Sequence, residues 1–173
     1  MSLSLALLFT LGPSVEGGFT IDDGGPTNFG VTQATYDAYR KRNNLPLQSV
    51  RGIAMYEVHD IYLTMYWTPA GCVYLPQKVG IVHFDWSVNH GVSGAIKSIQ
   101  TVLNVVSDGE IGPVTKSAMM RVSDGAILTP YLDLRRAWYK QDAANNPGQA
   151  QYLNGWLKRV DRLQTYLDNL QNG

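Results

Sequence analysis

A chain of 173 residues, 45% hydrophobic and 16% charged, fits one domain, or one domain with a small appendage, around a proper core. Its 14 basic and 14 acidic residues cancel, so nothing points to a nucleic-acid partner, and the sparse charge leaves Asn, Gln, Ser, Thr, Tyr and Gly to carry a surface suited to a neutral, hydroxyl-rich ligand such as a glycan. One cysteine, Cys72, excludes an internal disulfide, and His59, His83 and His90 lack the spacing of a metal site, so neither metal nor cofactor is expected.

Leu3, Leu7, Leu8 and Leu11 recur at helical spacing and predict a first core helix over 3–11. The run is too short to span a bilayer and lacks the basic start and cleavage site of an export signal, so stable membrane insertion is not expected. Gly12-Pro13 interrupts the helix, and Ser14 can re-cap a last short turn that delivers Glu16.

The chain is organised around residues 16–30, Glu-Gly-Gly-Phe-Thr-Ile-Asp-Asp-Gly-Gly-Pro-Thr-Asn-Phe-Gly. Two glycine pairs with carboxylates beside them read as a helix stop followed by a small hairpin or irregular β-loop over 19–29. Such pairs are equally good plain turn chemistry. Thr32 is placed to cap a helix over 33–42, which Asn43-Asn44-Leu45-Pro46 ends.

A longer helix is expected over 54–66, with Met55, Val58, Ile61, Tyr62 and Met65 as its apolar stripe and Tyr66-Trp67 at its end. Residues 77–89 are apolar almost all round, the pattern of a central buried helix. Asp85 lies inside that run, where a carboxylate must be hydrogen-bonded, and a structural bond is favoured over a substrate contact. Ala95, Ile96, Ile99, Val102 and Leu103 give a helix over 92–104. Asp108–Thr115 is a turn running into a helix to about Arg121, with Pro113 in its first turn. Further helices are predicted over 124–142 and 149–170, with Trp138 and Trp156 on their apolar stripes.

Hydrolysing a glycosidic bond needs a proton donor at the leaving oxygen and a second polar group that stabilises charge or holds water. Glu16, between Val15 and Phe19, is placed for a pKa raised by apolar surroundings. No nucleophile elbow, phosphate-binding loop or dinucleotide fingerprint is present.

Glu16-Gly-Gly-Phe followed by Gly24-Gly-Pro-Thr-Asn-Phe-Gly-Val-Thr-Gln33 resembles the start of glycoside hydrolase family 108, lysozyme-like N-acetylmuramidases found among phage endolysins and secretion-associated muramidases. The resemblance continues at Ile61-Tyr62, Tyr66-Trp67, Phe84-Asp85-Trp86-Ser-Val-Asn89-His-Gly91 and the Asp108–Thr115 block, which looks like the family's predicted peptidoglycan-binding region. It implies a mainly α, lysozyme-like fold with a small β-hairpin after the first helix. Residues 1–105 would form the catalytic lobe and 106–173 a helical wall-binding region, packed as one unit. It also implies cleavage of the β-1,4 bond between N-acetylmuramic acid and N-acetylglucosamine, acting on peptidoglycan glycan strands as a monomer, made in the cytoplasm and working in the periplasm or cell wall.

The family's catalytic acid carries over to Glu16. The link to the second glycine pair is about three residues shorter than the family's. Counting from either end selects Asp22 over Asp23 as the second carboxylate, with bracing the loop as its other reading. Thr27 would position water. Asp23, Asn28, Phe29, Gln33, Tyr66, Trp67, Asp85 and Asn89 complete the expected substrate contacts, with core packing the competing reading for Tyr66 and Trp67 and a helix cap for Asn89. A lytic transglycosylase, a non-catalytic wall-binding protein and a structural component of a phage or secretion apparatus are the alternatives.

Overall fold

The computed structural model describes residues 3–12, 18–22 and 25–170, with the Asp22 side chain excepted. The described residues form a mainly α fold with a small antiparallel sheet after the first helix, as the sequence predicts.

Helix α1, Leu3–Thr10, buries Leu3, Ala6, Leu7 and Phe9. Strands β1, Phe19–Asp22, and β2, Gly25–Asn28, form the hairpin, with Phe19 facing Asn28 and Asp22 facing Gly25. Gly25 has φ +93°, a conformation that glycine alone adopts without strain. A third strand that the sequence reading did not foresee, β3, Val31–Thr32, adds to β2. Thr32 then caps α2, Gln33–Arg42, its Oγ1 accepting from the Thr35 amide at 3.2 Å.

Helix α3 runs Met55–Tyr62, and the Glu57 carboxylate accepts from the Ala54 amide at its start. From Leu63 to Trp67 the chain winds as a π-helix, with the Thr68 amide bonded to the Leu63 carbonyl. This corrects the stripe read over 54–66. Val58, Ile61 and Tyr62 are buried, but the extra residue per turn rotates Met65 outward and brings Trp67 into the core. Met55, in the first turn of α3, is exposed as well.

Helix α4, Gln77–His90, is the centre of the molecule: Val79 through Ser87 are all buried, and α1, α5 and α7 pack against it. Its N-terminal amides are satisfied from afar, because the Asp124 carboxylate accepts from Lys78 N at 3.2 Å and Val79 N at 2.9 Å. Charge-assisted bonds of this kind stabilise by about 1.5–3 kcal/mol each. Helix α5 is Val92–Val102, and α6, Pro113–Arg121, starts at its proline. Asp124–Asn145 forms α7, and α8, Leu153–Asn169, follows a 3-10 turn over Pro147–Tyr152.

One continuous apolar cluster runs from Leu3 to Leu167. The C-terminal helix closes on the first: the Tyr166 hydroxyl donates to the Leu5 carbonyl at 2.8 Å and its ring lies 5.6 Å from Phe9. The Asp108–Thr115 block is held down by Gln100, which is fully buried. Its Nε2 donates to Asp108 Oδ1, the Glu110 carbonyl and Thr115 Oγ1, and its Oε1 accepts from the Gly109 amide. Among the described residues, no helix is long and apolar enough to cross a membrane.

Candidate active site

Glu16 and Asp23 lie outside the described residues, and of Asp22 only its strand position, opposite Gly25, is described. What the structure shows is the two frames that carry the other expected site residues.

The first is the sheet. Thr27 sits half-buried in the middle strand, in register with Thr20 and Thr32. Asn28 is buried, and its Nδ2 donates to the carbonyls of Val50 at 3.2 Å and Arg51 at 3.1 Å. Gln33 clasps the same segment: its Nε2 donates to the Gln48 carbonyl at 2.9 Å and its Oε1 accepts from the Val50 amide at 2.7 Å. Both residues, expected as substrate contacts, therefore use their amides to hold residues 48–51 against the sheet. Arg51 in turn lies 4.5 Å over the Phe19 ring. Phe29 has φ +49°, a left-handed conformation costing about 1–3 kcal/mol for a bulky residue. The Tyr62 hydroxyl holds it there, donating to its carbonyl at 3.0 Å.

Tyr66 is half-buried beside Tyr62, with ring centroids 5.6 Å apart. Trp67 is buried against Phe84 at 5.8 Å, a core position.

The second is the C-terminal half of α4. Asp85 is fully buried between two arginines, with Arg135 Nη2 at 2.7 Å and Arg159 Nη2 at 2.8 Å. Thr10 Oγ1, in the last turn of α1, donates to the same carboxylate at 3.4 Å. Burial alone would raise the Asp85 pKa, but the two guanidinium charges outweigh it and hold the group below the ordinary carboxylate range. Asp85 is thus a charged structural anchor with no open face for a sugar. One turn on, Asn89 is exposed and donates its Nδ2 to the Asp85 carbonyl at 2.6 Å.

The structure therefore gathers the expected residues into two groups. Thr27, Asn28, Phe29 and Gln33 lie along the sheet. Asp85 lies where α1 ends against α4, and Asn89 is one turn further along α4. Arg135 and Arg159, which fix that end, were missed by sequence reasoning; the available signal was an arginine on an apolar stripe, Arg135 four residues from both Tyr131 and Tyr139.

Two other buried polar groups are structural. Glu57 pairs with Arg40 at 2.7 Å and accepts from the Tyr36 hydroxyl. His83 lies between the Tyr131 hydroxyl at 2.6 Å and the Ala70 carbonyl at 2.9 Å, so Nε2 carries the proton, and burial pushes its pKa down to about 4. Among the described residues, no cluster of three or more His, Cys, Asp or Glu could hold a metal ion.

Residues 13–91 match the family model described as glycosyl hydrolase 108, and residues 94–161 match the one described as a predicted peptidoglycan domain. The solved structure of SagA from Brucella abortus is similar at 29% identity and a TM-score of 0.72, over 91% of this chain and 90% of that one. No curated protein matches the chain.

Proposed function

We propose that the chain, matched over residues 13–91 by the glycosyl hydrolase 108 model and over 94–161 by the predicted peptidoglycan domain model, is a glycoside hydrolase acting on peptidoglycan and, within that class, a muramidase. The bond cut is the β-1,4 link from N-acetylmuramic acid to N-acetylglucosamine. Glu16 protonates the leaving oxygen, Asp22 supports the developing positive charge or the attacking water, and Thr27 orients that water. The observation that carries this reading is the family match over the segment that contains all three residues.

The surrounding structure supports it. A general acid must be held in place, and the chain enters its segment from Thr10, hydrogen-bonded to Asp85, and leaves it through the β1–β2 hairpin. Asp85 and Asp108, the described carboxylates with displaced pKa values, are both held toward the charged form, Asp108 chiefly by its bond from Gln100. That is the reverse of what a proton donor needs near neutral pH, so neither of these two suits that role.

Lysis of a host wall from within, as by a phage endolysin, is the biological role that suits a wall hydrolase with this motif. Mass spectrometry of digested sacculi tests the chemistry. A muramidase leaves reducing N-acetylmuramic acid ends. Anhydro ends would instead assign the chain to the lytic transglycosylases, and reducing N-acetylglucosamine ends would overturn the bond assignment.

A further inference from the structure

At the C-terminal end of α4 a cleft of about 720 Å³ opens between that helix, the end of α7 and the start of α8. The volume lies within the range of ligand sites, about 300–1,000 Å³. We propose that this cleft is a glycan-binding site that takes the N-acetylated sugars of a peptidoglycan strand, with Trp138 and Trp156 as its stacking walls. The identity of the ligand rests on the peptidoglycan reading; the cleft itself is argued from its own chemistry.

Sugar rings offer apolar C–H faces ringed by hydroxyls, so they bind where fixed aromatic surface meets hydrogen-bonding groups that are neutral and both donate and accept. The walls meet the first need. Trp156 is stacked on buried Tyr139 at 5.2 Å with 25° between the planes, and Trp138 packs edge-on to the same ring at 5.5 Å. The His90 ring lies 3.9 Å from that of Trp138. Both indoles are half-buried and line the cleft, so they are held before a ligand arrives and lose little freedom on binding.

The rim meets the second need. Four carboxamides line the cleft, from Asn89, Asn145, Asn146 and Gln149. Asn89 commits its Nδ2 to the Asp85 carbonyl and Asn146 commits its Nδ2 to Asp142 Oδ1, which leaves both carbonyl oxygens to accept. Asn145 and Gln149 are exposed.

Charge narrows the ligand further. Among the described residues, Asp142 is the sole Asp, Glu, Lys or Arg lining the cleft, and burial lowers the His90 pKa, which disfavours the charged ring. With no lysine or arginine among the described residues of the wall, a phosphate or the carboxylates of a stem peptide meet no counter-charge there, whereas an acetamido sugar needs none. The cleft also bridges both matched segments. Asn89 and His90 belong to the first, Trp138 and Trp156 to the second.

The test uses the full chain carrying Glu16→Gln, titrated calorimetrically with the soluble tetramer of N-acetylglucosamine. Trp156→Ala is expected to weaken binding about tenfold, and the double variant Asn145→Ala, Gln149→Ala by a similar factor. The double variant removes exposed side chains, so it remains a fair test even where the tryptophan variant fails to fold. The matching glucose tetramer, which lacks acetamido groups, is expected to bind at least tenfold more weakly. The proposal is overturned if the parent does not bind the N-acetylated tetramer, if a folded double variant binds within twofold of the parent, or if the two tetramers bind alike. Sacculus digestion by the chain with Glu16 intact reports separately. Cleavage alongside an unaffected double variant removes the cleft proposal alone, and cleft-dependent binding without cleavage removes the hydrolase reading alone.

Discussion

Arg159 of α8 holds Asp85 of α4 at 2.8 Å across 74 residues of sequence, with its Nε at 3.2 Å on the same oxygen. The pair locks the C-terminal helix to the central one where Thr10 brings the end of α1. Arg135 takes the other carboxylate oxygen, so two buried or nearly buried cations share one anion.

Removing the shared charge is therefore worse than removing one of its partners. Asp85→Asn takes from both guanidinium groups the carboxylate that they share and is expected to cost about 3–5 kcal/mol. Arg135→Met keeps one carboxylate facing one arginine and removes a guanidinium nitrogen, Nη1, that has no hydrogen-bond partner among the described residues. It is expected to cost measurably less than Asp85→Asn. Urea unfolding of both variants checks the order.

Acid should destabilise the protein well before its carboxylates protonate. Unfolded His83 takes up a proton below about pH 6.5, whereas in the fold burial holds its pKa at about 4. Between those values the unfolded state binds the extra proton, so stability falls as pH drops, by roughly 3 kcal/mol across the window. The lowered pKa of His90 acts in the same direction. Asp85 adds a second loss at lower pH, since its contribution is present above the ordinary carboxylate pKa and disappears as pH falls through its depressed folded value. Urea midpoints between pH 7.5 and 4.5 measure the slope, and His83→Gln is expected to flatten it.

Gln100→Ala should loosen the Asp108–Thr115 block rather than abolish a binding group. The side chain makes four hydrogen bonds from a fully buried position. Losing them strands buried polar atoms at about 1–3 kcal/mol. Hydrogen exchange should rise at the Gly109 amide, which bonds to Gln100 Oε1, with little change in the α1–α4 contact.

The helices were legible because their signals are local. Thr32 caps α2 and Pro113 starts α6 where the sequence puts them. Strand β3 is two residues long and has no period to read, and the π-helical turn that exchanges Met65 for Trp67 leaves no trace in the spacing. The buried run around Asp85 announced that a carboxylate there needed partners. It could not say which, because Arg135 and Arg159 reach it only once α7 and α8 have packed. Asn28 and Gln33 follow the glycine motif so closely that they read as substrate contacts, yet both spend their amides on residues 48–51, a pairing set by tertiary contact. Trp138 and Trp156 read as core because they fall on apolar stripes; both line the cleft.

Release of reducing ends from purified sacculi, by the unmodified chain and by Glu16→Gln compared at equal concentration and equal thermal stability, tests the proposed chemistry most directly. The expected result is steady release by the first and a rate at least about 100-fold lower for the second. A folded Glu16→Gln variant that digests sacculi at the unmodified rate would contradict the assignment of the acid and the mechanism built on it.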